Sequence, residues 1–415
     1  MNHRERFLAI HDFLLAYQNI WQNEIMLLYP DPFKDYPMEW VEELATFRKK
    51  DDLIKIEKKD VFDFIKNPSL INFYQTIEDL SKIPKAPEHP AMPEDAHTFL
   101  YMIPKKQHEI KKLAPMVNAF MKDHHIDTVI DIGGGVGLLA QALNNQYGLK
   151  VTSLDLDPVM QKSGSERQLK FAKNKENLIE FINVRVDHQD MRFKRLLKND
   201  CLTLGLHTCG QLANDQIKSS ALHKIPGLIN FGCCYHKLED HEHSENISEL
   251  ASSLSNKIEM GHFALTLSAR AHRKMDDKDH DLKLKVKLYR YAIHFLLHDE
   301  YQLKKLVTLG NSNPKLYNES FGVYVLEQFR RINIVSKHTM KELNEYFADH
   351  ERQEIIWKML AAGFIRNAFG RLLELYILLD RVIYLEEQGY DSKLFEFFDE
   401  ELSPRNLGIV ANIAN

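Results

Sequence analysis

One nine-residue segment, DIGGGVGLL at 131–139, restricts the fold of this 415-residue chain more than any other feature. The β-branched run TVIDIG (128–133) leads into it, a helical pattern follows it, and a second strand-like run, VTSLDL, occupies 151–156. A strand, a glycine turn, a helix and a strand within about 30 residues form the βαβ unit of a parallel sheet. The segment therefore predicts a parallel α/β sheet with a ligand site at the turn.

The glycines of this turn distinguish two classes of cofactor. Gly133, Gly135 and Gly137 remove side chains from the turn, so that a ligand can lie against the backbone. A dinucleotide fold needs G-x-G-x-x-G beneath a pyrophosphate, but here Leu138 stands at the third glycine position. Glycines at every second position after Asp131 favour S-adenosylmethionine, which has no pyrophosphate but carries an ammonium and a sulfonium.

Acidic residues follow the first three predicted strands. Asp131 is predicted to anchor the amino-acid end of the cofactor, directly or through water. Asp155 ends the second strand, where a carboxylate can accept hydrogen bonds from both ribose hydroxyls. Asp190 comes after the third strand and is predicted to accept a hydrogen bond from the adenine amine. Asp157 and Asp187 are the weaker alternatives at the last two positions.

The remaining periodicity extends the sheet. Further strand candidates lie at 179–186, 201–207 and 228–235, with helical segments between them. Two strand-like runs, 393–399 and 406–413, close the chain and predict an antiparallel hairpin. The predicted fold is α/β, with a doubly wound, Rossmann-like sheet, a helical N-terminal region and a helical insertion before the last strand pair.

Four regions follow from these patterns. Residues 1–98 form a helical N-terminal region whose end is marked by a proline-rich stretch at 83–94. Residues 99–260 form the α/β core, 261–365 the helical insertion, and 366–415 the last helix and the closing hairpin of the core.

Composition limits the partners and the compartment. The formal net charge is -5, with 54 basic and 59 acidic residues, so a nucleic-acid partner would need a local basic patch. Basic runs occur at 105–106, at 111–112 and between 185 and 195. Four cysteines and the lack of a signal peptide or a long apolar run predict a cytoplasmic protein without a membrane or DNA partner. The oligomeric state does not follow from the sequence.

A cluster of chemically active residues follows the fourth and fifth strands, in LHTCG (206–210) and GCCYHKL (232–238). The ends of neighbouring parallel strands meet at one edge of a sheet, so these side chains are expected to converge beside the cofactor. The residues concerned are His207, Cys209, Cys233, Cys234, Tyr235 and His236.

Three interpretations of this cluster are open. In the preferred one it shapes the pocket of the methyl acceptor, and His207 or His236 removes a proton during transfer. Catalysis is then assigned to His207, Cys209, Cys233, Tyr235 and His236, and no metal ligand is assigned. In the second, the cysteines are small apolar fillers. In the third, His207, Cys209 and one of the paired cysteines bind zinc, although the usual C-x-x-C knuckle is missing.

Six segments spread over most of the chain resemble the methyltransferase-like protein 25 family, also described as ribosomal RNA adenine dimethylase domain-containing. The segments are MIPKKQHEI (102–110), DIGGGVGLL (131–139), GLHTCGQLA (205–213), GCCYHKL (232–238), LLDRVIYLEEQGY (378–390) and LSPRNLGIVA (402–411). NPSLINFYQTIEDL (67–80) also resembles the N-terminal part of that family.

The resemblance implies a class I methyltransferase fold with S-adenosylmethionine as cofactor, and it assigns Asp131, the three turn glycines and Asp155 to cofactor binding. The expected acceptor is a macromolecule, with RNA slightly favoured over protein by the resemblance and by the local basic runs. Methylation of an adenine amine usually needs an N-P-P-Y motif after the fourth strand, and this chain has HTCG there, so that reaction is not supported. The alternative function is a non-catalytic S-adenosylmethionine-binding or scaffold module.

Overall fold

The computed structural model of the protein describes residues 1–92, 99–172, 177–187, 189–238, 246–270, 277–303, 307, 309 and 312–414. Within these residues a single seven-stranded sheet is surrounded by helices. None of the helices in the described part of the chain is long and apolar enough to cross a membrane.

The strands are β1 Thr128–Ile132, β2 Lys150–Asp155, β3 Glu180–Asn183, β4 Cys201–Cys209, β5 Gly227–Cys233, β6 Tyr390–Glu396 and β7 Leu407–Ile413. Their order in the sheet is β3-β2-β1-β4-β5-β7-β6. Strands β1 to β5 are parallel, and β7 runs antiparallel to both β5 and β6. The predicted doubly wound α/β sheet with a closing antiparallel hairpin is confirmed. The strand order reverses between β1 and β4, which is where open α/β sheets bind ligands.

The α-helices are α1 His3–Ala16, α2 Gln18–Trp21, α3 Met38–Ala45, α4 Lys50–Lys58, α5 Pro68–Ser81, α6 Pro104–Asp123, α7 Leu138–Tyr147, α8 Pro158–Phe171, α9 Met191–Lys194, α10 Gln211–Leu222, α11 Glu249–Ser253, α12 His262–Ser268, α13 Asp277–Tyr301, α14 Phe321–Arg331, α15 Met340–Ala348, α16 His350–Ala368 and α17 Gly370–Glu387. Short 3-10 helices lie at Ile25–Leu28, Tyr235–Leu238 and Pro314–Asn318.

Local sequence explains how the helices next to the site begin and end. Helix α7 begins directly after Gly137 and ends at Gly148, whose φ of 68° is left-handed, a conformation common at helix ends. Asp157 caps α8 by accepting a hydrogen bond from the Val159 amide at 2.8 Å, and Pro158 takes the first helical position. The two helices therefore begin directly behind the strand ends.

The chain divides into two compact units. The first contains Met1–Leu15, Ser81–Lys274 and Arg371–Asn415, and the second contains Ala16–Leu80 and Met275–Gly370. This grouping differs from the four consecutive predicted regions, since most of the helical N-terminal region and most of the helical insertion share one unit.

The sheet belongs to the first unit, and α17 runs through the core of that unit. Most of its side chains are buried. Tyr376 stacks on Phe7 of α1 with ring centroids 4.7 Å apart, and the buried Asp380 accepts a hydrogen bond from the Ser248 hydroxyl at 2.6 Å. Helix α17 thus holds the N-terminal helix and the segment after β5 in one core.

The second unit is helical, and a buried arginine connects the two sequence segments that form it. Arg366 of α16 is 2% exposed. Its guanidinium donates to the Asn23 carbonyl at 2.6 Å and to Glu24 at 3.2 Å. Burying this charge without both partners would cost several kcal/mol, so residues 16–80 and 275–370 depend on each other for stability.

Two local differences from the sequence-based prediction have physical causes. The apolar pattern of residues 340–364 predicts one helix, but the structure has two, because Asp349 adopts an extended conformation and caps α16 through the Arg352 amide. Part of the proline-rich stretch is held against the sheet, since the Ala86 amide donates to the Glu396 carbonyl at 2.8 Å. Residues 93 and 94 of that stretch lie outside the described residues.

Candidate active site

The glycine bend joins β1 to α7 in a conformation that depends on its glycines. Gly133, Gly135 and Gly137 have φ values of 68°, 58° and 67°, a left-handed region that costs other residues about 1–2 kcal/mol each. The Gly134 amide donates to the Leu154 carbonyl of β2 at 3.0 Å. This hydrogen bond fixes the bend against the neighbouring strand.

The space around the bend differs from one glycine to the next. A methyl group at Gly137 would lie 2.7 Å from the Phe181 ring, and one at Gly133 would lie 3.2 Å from Leu212. At Gly135 such a group would meet no atom within 4 Å. Side chains of the protein therefore do not fill the bend at Gly135, and its backbone is open to a ligand.

Asp155 ends β2 with its carboxylate on the bend. One carboxylate oxygen accepts a hydrogen bond from the Gly135 amide at 2.9 Å, and the other accepts one from the Asp157 amide at 2.9 Å. Each carboxylate oxygen has a second lone pair. The side chain is thus oriented beside the open glycine and can still accept two further hydrogen bonds from vicinal hydroxyls.

Asp131 lies beneath the bend and is 2% exposed. Its Oδ2 atom has no hydrogen-bond partner among the described residues. Burial raises the pKa of Asp131 to about 7, opposed by the charge of Lys106 and reinforced by that of Asp155. An unpartnered buried carboxylate at this point fits a ligand that brings a cation.

Asp190 has a different environment from the other two acids. It is the N-cap of α9, where its carboxylate accepts hydrogen bonds from the Arg192 amide at 2.7 Å and from the Arg192 guanidinium at 3.1 Å. These bonds lower the pKa of Asp190. Its proposed bond to adenine stays a prediction, and its observed contacts are those of a helix cap.

His207 interrupts the pairing of β4 with β5. The register shifts between Leu206 and Thr208, and His207 has a φ of 70°. A bulge of this kind redirects a side chain at a sheet edge. The His207 Nε2 atom lies 2.9 Å from Oε1 of Glu109 on α6, so a fixed carboxylate orients the imidazole.

Glu109 was not predicted to be the partner of His207. Its side chain is 1% exposed, and its Oε1 atom also accepts a hydrogen bond from the Ser403 hydroxyl at 2.7 Å. Burial alone would raise the pKa of Glu109, but the hydrogen bond and charge of His207, Ser403 and Lys106 lower it to about 2. The signal in the sequence was the position of Glu109 within the MIPKKQHEI segment.

The cysteines that follow β4 and β5 lie together. Cys209 and Cys233 are register partners, and their sulfurs are 3.2 Å apart. The hydrogen bond from Cys233 lowers the pKa of the Cys209 thiol to about 5, against the effect of burial, and the same bond raises the pKa of Cys233. The predicted convergence of the two strand ends is therefore present in the structure.

The two remaining predicted residues differ in exposure. Tyr235 is completely buried, and its hydroxyl donates to the Gly232 carbonyl at 3.2 Å and lies 3.3 Å from Glu374. Burial raises the pKa of Tyr235. This side chain packs in the core instead of facing an open pocket. His236 is half-buried on the following 3-10 helix.

Residues 105–241 match a family of methyltransferase domains. This part of the chain is a methyltransferase domain. Its cofactor is S-adenosylmethionine, and its sheet is that of a class I methyltransferase. The segment contains the glycine bend and both strand ends described above, as well as Glu109.

The proteins that are similar to the chain include two curated proteins and one solved structure. The human protein named "Probable methyltransferase-like protein 25" is 26% identical over 226 residues, which cover 51% of this chain and 37% of that protein. The mouse protein of the same name is 24% identical over 228 residues, with the same coverage. The chain thus matches less than two thirds of the length of these relatives. Coclaurine N-methyltransferase, solved with N-methylheliamine and SAH, matches 80% of this chain and 94% of its own, at 11% identity and a TM-score of 0.24.

The residues present fit the cofactor. Gly135 leaves its backbone open, Asp155 can accept hydrogen bonds from ribose hydroxyls, and the unpartnered oxygen of Asp131 can accept one from an ammonium group. These three residues would hold S-adenosylmethionine at the carboxyl ends of β1 and β2.

A matched pair of glycine variants tests the open bend. Gly135 and Gly148 share a left-handed φ and open surroundings, so Gly135→Ala and Gly148→Ala should destabilise the protein equally, by about 1–2 kcal/mol. Only Gly135→Ala should also weaken binding of S-adenosylmethionine, because its methyl group enters the ligand space. Thermal unfolding and calorimetric titration measure the two effects, and equal affinities in both variants would contradict the assignment.

Binding of S-adenosylmethionine should depend on pH through Asp131. With a pKa of about 7, this carboxyl is protonated in the free protein at lower pH, and binding an ammonium group favours its ionised form. Affinity should therefore rise up to tenfold per pH unit from about pH 5 to 7 and decline above about pH 8, where the ligand amine loses its proton. Calorimetry across this range checks the slope. Asp131→Asn should remove the rise below pH 7, and an identical slope in that variant would exclude Asp131 as its source.

Proposed function

We propose that the protein transfers the methyl group of S-adenosylmethionine to a macromolecule in the cytoplasm, with RNA favoured over protein. One observation carries this proposal. The open bend at Gly135, with the Asp155 carboxylate on it, belongs to the same sheet edge as the His207–Glu109 pair. A cofactor site and an oriented proton acceptor at one edge are what methyl transfer to a protonated acceptor atom needs.

The protein residues would divide the work of the reaction. S-adenosylmethionine supplies an electrophilic methyl group when it is bound. Asp131 and Asp155 fix its position. His207 accepts the proton that the acceptor atom loses as it forms its bond to carbon, and the Glu109 carboxylate stabilises the resulting imidazolium. A carboxylate–histidine pair does the same in other enzymes that activate a hydroxyl.

Exposed basic side chains near the site support an RNA acceptor. Arg185 and Arg192 follow the carboxyl end of β3, and their side chains are 66% and 72% exposed. Arg195 is exposed as well. The first two pair with neighbouring aspartates, but exposed pairs contribute little and can be exchanged for phosphate contacts. The family resemblance adds to this support.

A labelling experiment tests the function. The purified protein is incubated with S-adenosylmethionine carrying a labelled methyl group and with extract of cells that lack the protein, and RNA and protein are then separated. Label in RNA that depends on the wild-type protein and is lost with Asp155→Ala is the expected result. Label in protein alone would overturn the choice of acceptor. Cofactor binding without transfer to either fraction would favour the non-catalytic scaffold function.

A further inference from the structure

Three cysteine side chains in the first unit converge on one point. The sulfurs of Cys209, Cys233 and Cys234 all lie within 4.8 Å of one another. All three are free thiols, and Cys209 and Cys234 are partly exposed, so the cluster can be reached from solvent. The fourth cysteine, Cys201, begins β4 and is not part of this group.

The backbone, and not packing of the side chains alone, places these sulfurs together. Cys209 and Cys233 are register partners at the ends of β4 and β5, and the Gly210 amide donates to the Cys233 carbonyl at 3.0 Å. Cys234 has a left-handed φ of 50°, and the Lys237 amide donates to its carbonyl at 2.9 Å. A non-glycine residue in this conformation costs about 1–3 kcal/mol and persists at sites where the strain has a use.

The spacing suits a metal ion that prefers thiolates. Zinc bonds to cysteine sulfur at about 2.3 Å in tetrahedral geometry, which separates the sulfurs by about 3.8 Å. The 3.2 Å separation of Cys209 and Cys233 and the 4.8 Å upper limit of the cluster bracket that value. Small changes in side-chain rotamers would therefore place the three sulfurs at three vertices of a coordination tetrahedron. No further cysteine, histidine or carboxylate among the described residues belongs to this group, so none of these occupies the fourth coordination position.

A buried cation whose donors form no hydrogen bond lies next to the cluster and gives an independent argument. The Arg381 side chain is fully buried, and none of its three guanidinium nitrogens has a hydrogen-bond partner in the described structure. A methyl group at Gly232, the residue before Cys233, would lie 2.5 Å from its Nη1 atom. The Arg381 guanidinium carbon lies 5.6 Å from the centroid of the Tyr235 ring, and its charge interacts with that of the buried Asp380 as well as with Cys233. A buried guanidinium whose donors make no hydrogen bond is costly.

Metal binding would add negative charge beside this cation. Three thiols lose three protons when they bind a divalent ion, so the centre carries a net charge of about -1 beside Arg381 and Lys237. With neutral thiols, the cluster adds no negative charge to that of Asp380. The charges around the cluster thus favour its metal-bound form.

We propose that Cys209, Cys233 and Cys234 bind one thiolate-preferring metal ion at the carboxyl ends of β4 and β5, with a fourth position open to water or another ligand. The inference does not depend on the proposed function, because it rests on the three sulfurs and the buried cation. It replaces the sequence-based assignment of Cys209 and Cys233 to catalysis with a role as ligands.

Metal titration of the whole protein tests the site. The protein is purified under reducing conditions, stripped with a chelator and titrated with cobalt(II) and then with zinc. One cobalt per chain with a thiolate-to-cobalt charge-transfer absorption, displaced by one zinc, is the expected result. Cys209→Ser and Cys234→Ser should each lower zinc affinity by more than about 100-fold, since even changes outside the ligand set cost about 10- to 100-fold. Cys201→Ala is the matched control and should bind as the wild type does.

The outcomes separate metal binding from folding and from the transfer reaction. Circular dichroism and S-adenosylmethionine affinity show whether each variant keeps its fold. The cobalt spectrum of the wild-type protein tests the site without any substitution. No charge-transfer absorption in reduced wild-type protein would overturn the proposal. Unchanged zinc affinity in Cys209→Ser and Cys234→Ser would also overturn it, whether or not these variants transfer methyl groups. A Cys209–Cys233 disulfide that persists under reducing conditions would overturn it as well.

Discussion

Asp155→Ala should weaken binding of S-adenosylmethionine by about 10²- to 10⁴-fold. The wild-type carboxylate is held beside the bend by the Gly135 and Asp157 amides, and it can accept both ribose hydroxyls. Two hydrogen bonds to a charged group are worth about 1.5–3 kcal/mol each, and a total of about 3–6 kcal/mol corresponds to the stated loss of affinity. Calorimetric titration of the purified variant measures it.

Asp157→Ala is the control for this prediction. Asp157 lies two residues away and caps α8 by accepting hydrogen bonds from the Val159 and Met160 amides. Its removal should lower the free energy of unfolding by about 1 kcal/mol and leave the affinity for S-adenosylmethionine unchanged. A loss of affinity in Asp157→Ala but not in Asp155→Ala would show that Asp157, and not Asp155, binds the ribose.

Replacing either member of the His207–Glu109 pair should lower the rate of methyl transfer by about 10²- to 10⁴-fold, the usual contribution of a positioned proton acceptor. His207→Asn is preferred to an alanine variant, because asparagine tolerates the left-handed backbone at this position. Glu109→Gln preserves the shape of the side chain and removes its charge. Label transfer into the acceptor fraction at saturating S-adenosylmethionine gives the rate.

The double variant distinguishes a pair that acts together from two independent residues. If Glu109 works through His207, His207→Asn combined with Glu109→Gln should be no slower than the slower single variant. Affinity for S-adenosylmethionine should stay unchanged in all three proteins. His223→Asn, a change to a half-buried histidine at the end of α10, should transfer at the wild-type rate. Independent, additive losses would argue against a coupled pair.

The glycine bend and the position of Asp155 could be predicted from the sequence because their determinants are local. Three glycines spaced by two require left-handed backbone within a few residues, and an acid at the end of the next strand follows from the βαβ unit. The role of Asp190 is not determined by its local sequence. A helix cap and a ligand to adenine both call for an acid after a strand, and only the positions of the Arg192 amide and guanidinium show which contacts are made.

The acceptor half depends on contacts between residues far apart in the chain. Glu109 precedes His207 by 98 positions, and Ser403, the other partner of Glu109, follows by 294. Arg381, on α17, places its guanidinium next to Gly232, the residue before Cys233. No periodicity or local motif encodes such distances, so the pair and the charge beside the cysteines could be found only in the folded structure.

By itself, then, the sequence determined the doubly wound sheet, its closing hairpin, the glycine bend and the acid at the end of β2, because backbone conformation and strand alternation are set by near neighbours. The tertiary structure alone decided that Glu109 orients His207, that Tyr235 lies in the core, and that three sulfurs meet within 4.8 Å. It also decided that residues 16–80 and 275–370, which are far apart in the chain, form a second unit. These outcomes depend on the packing of distant segments, which fixes both the geometry and the burial on which their chemistry depends.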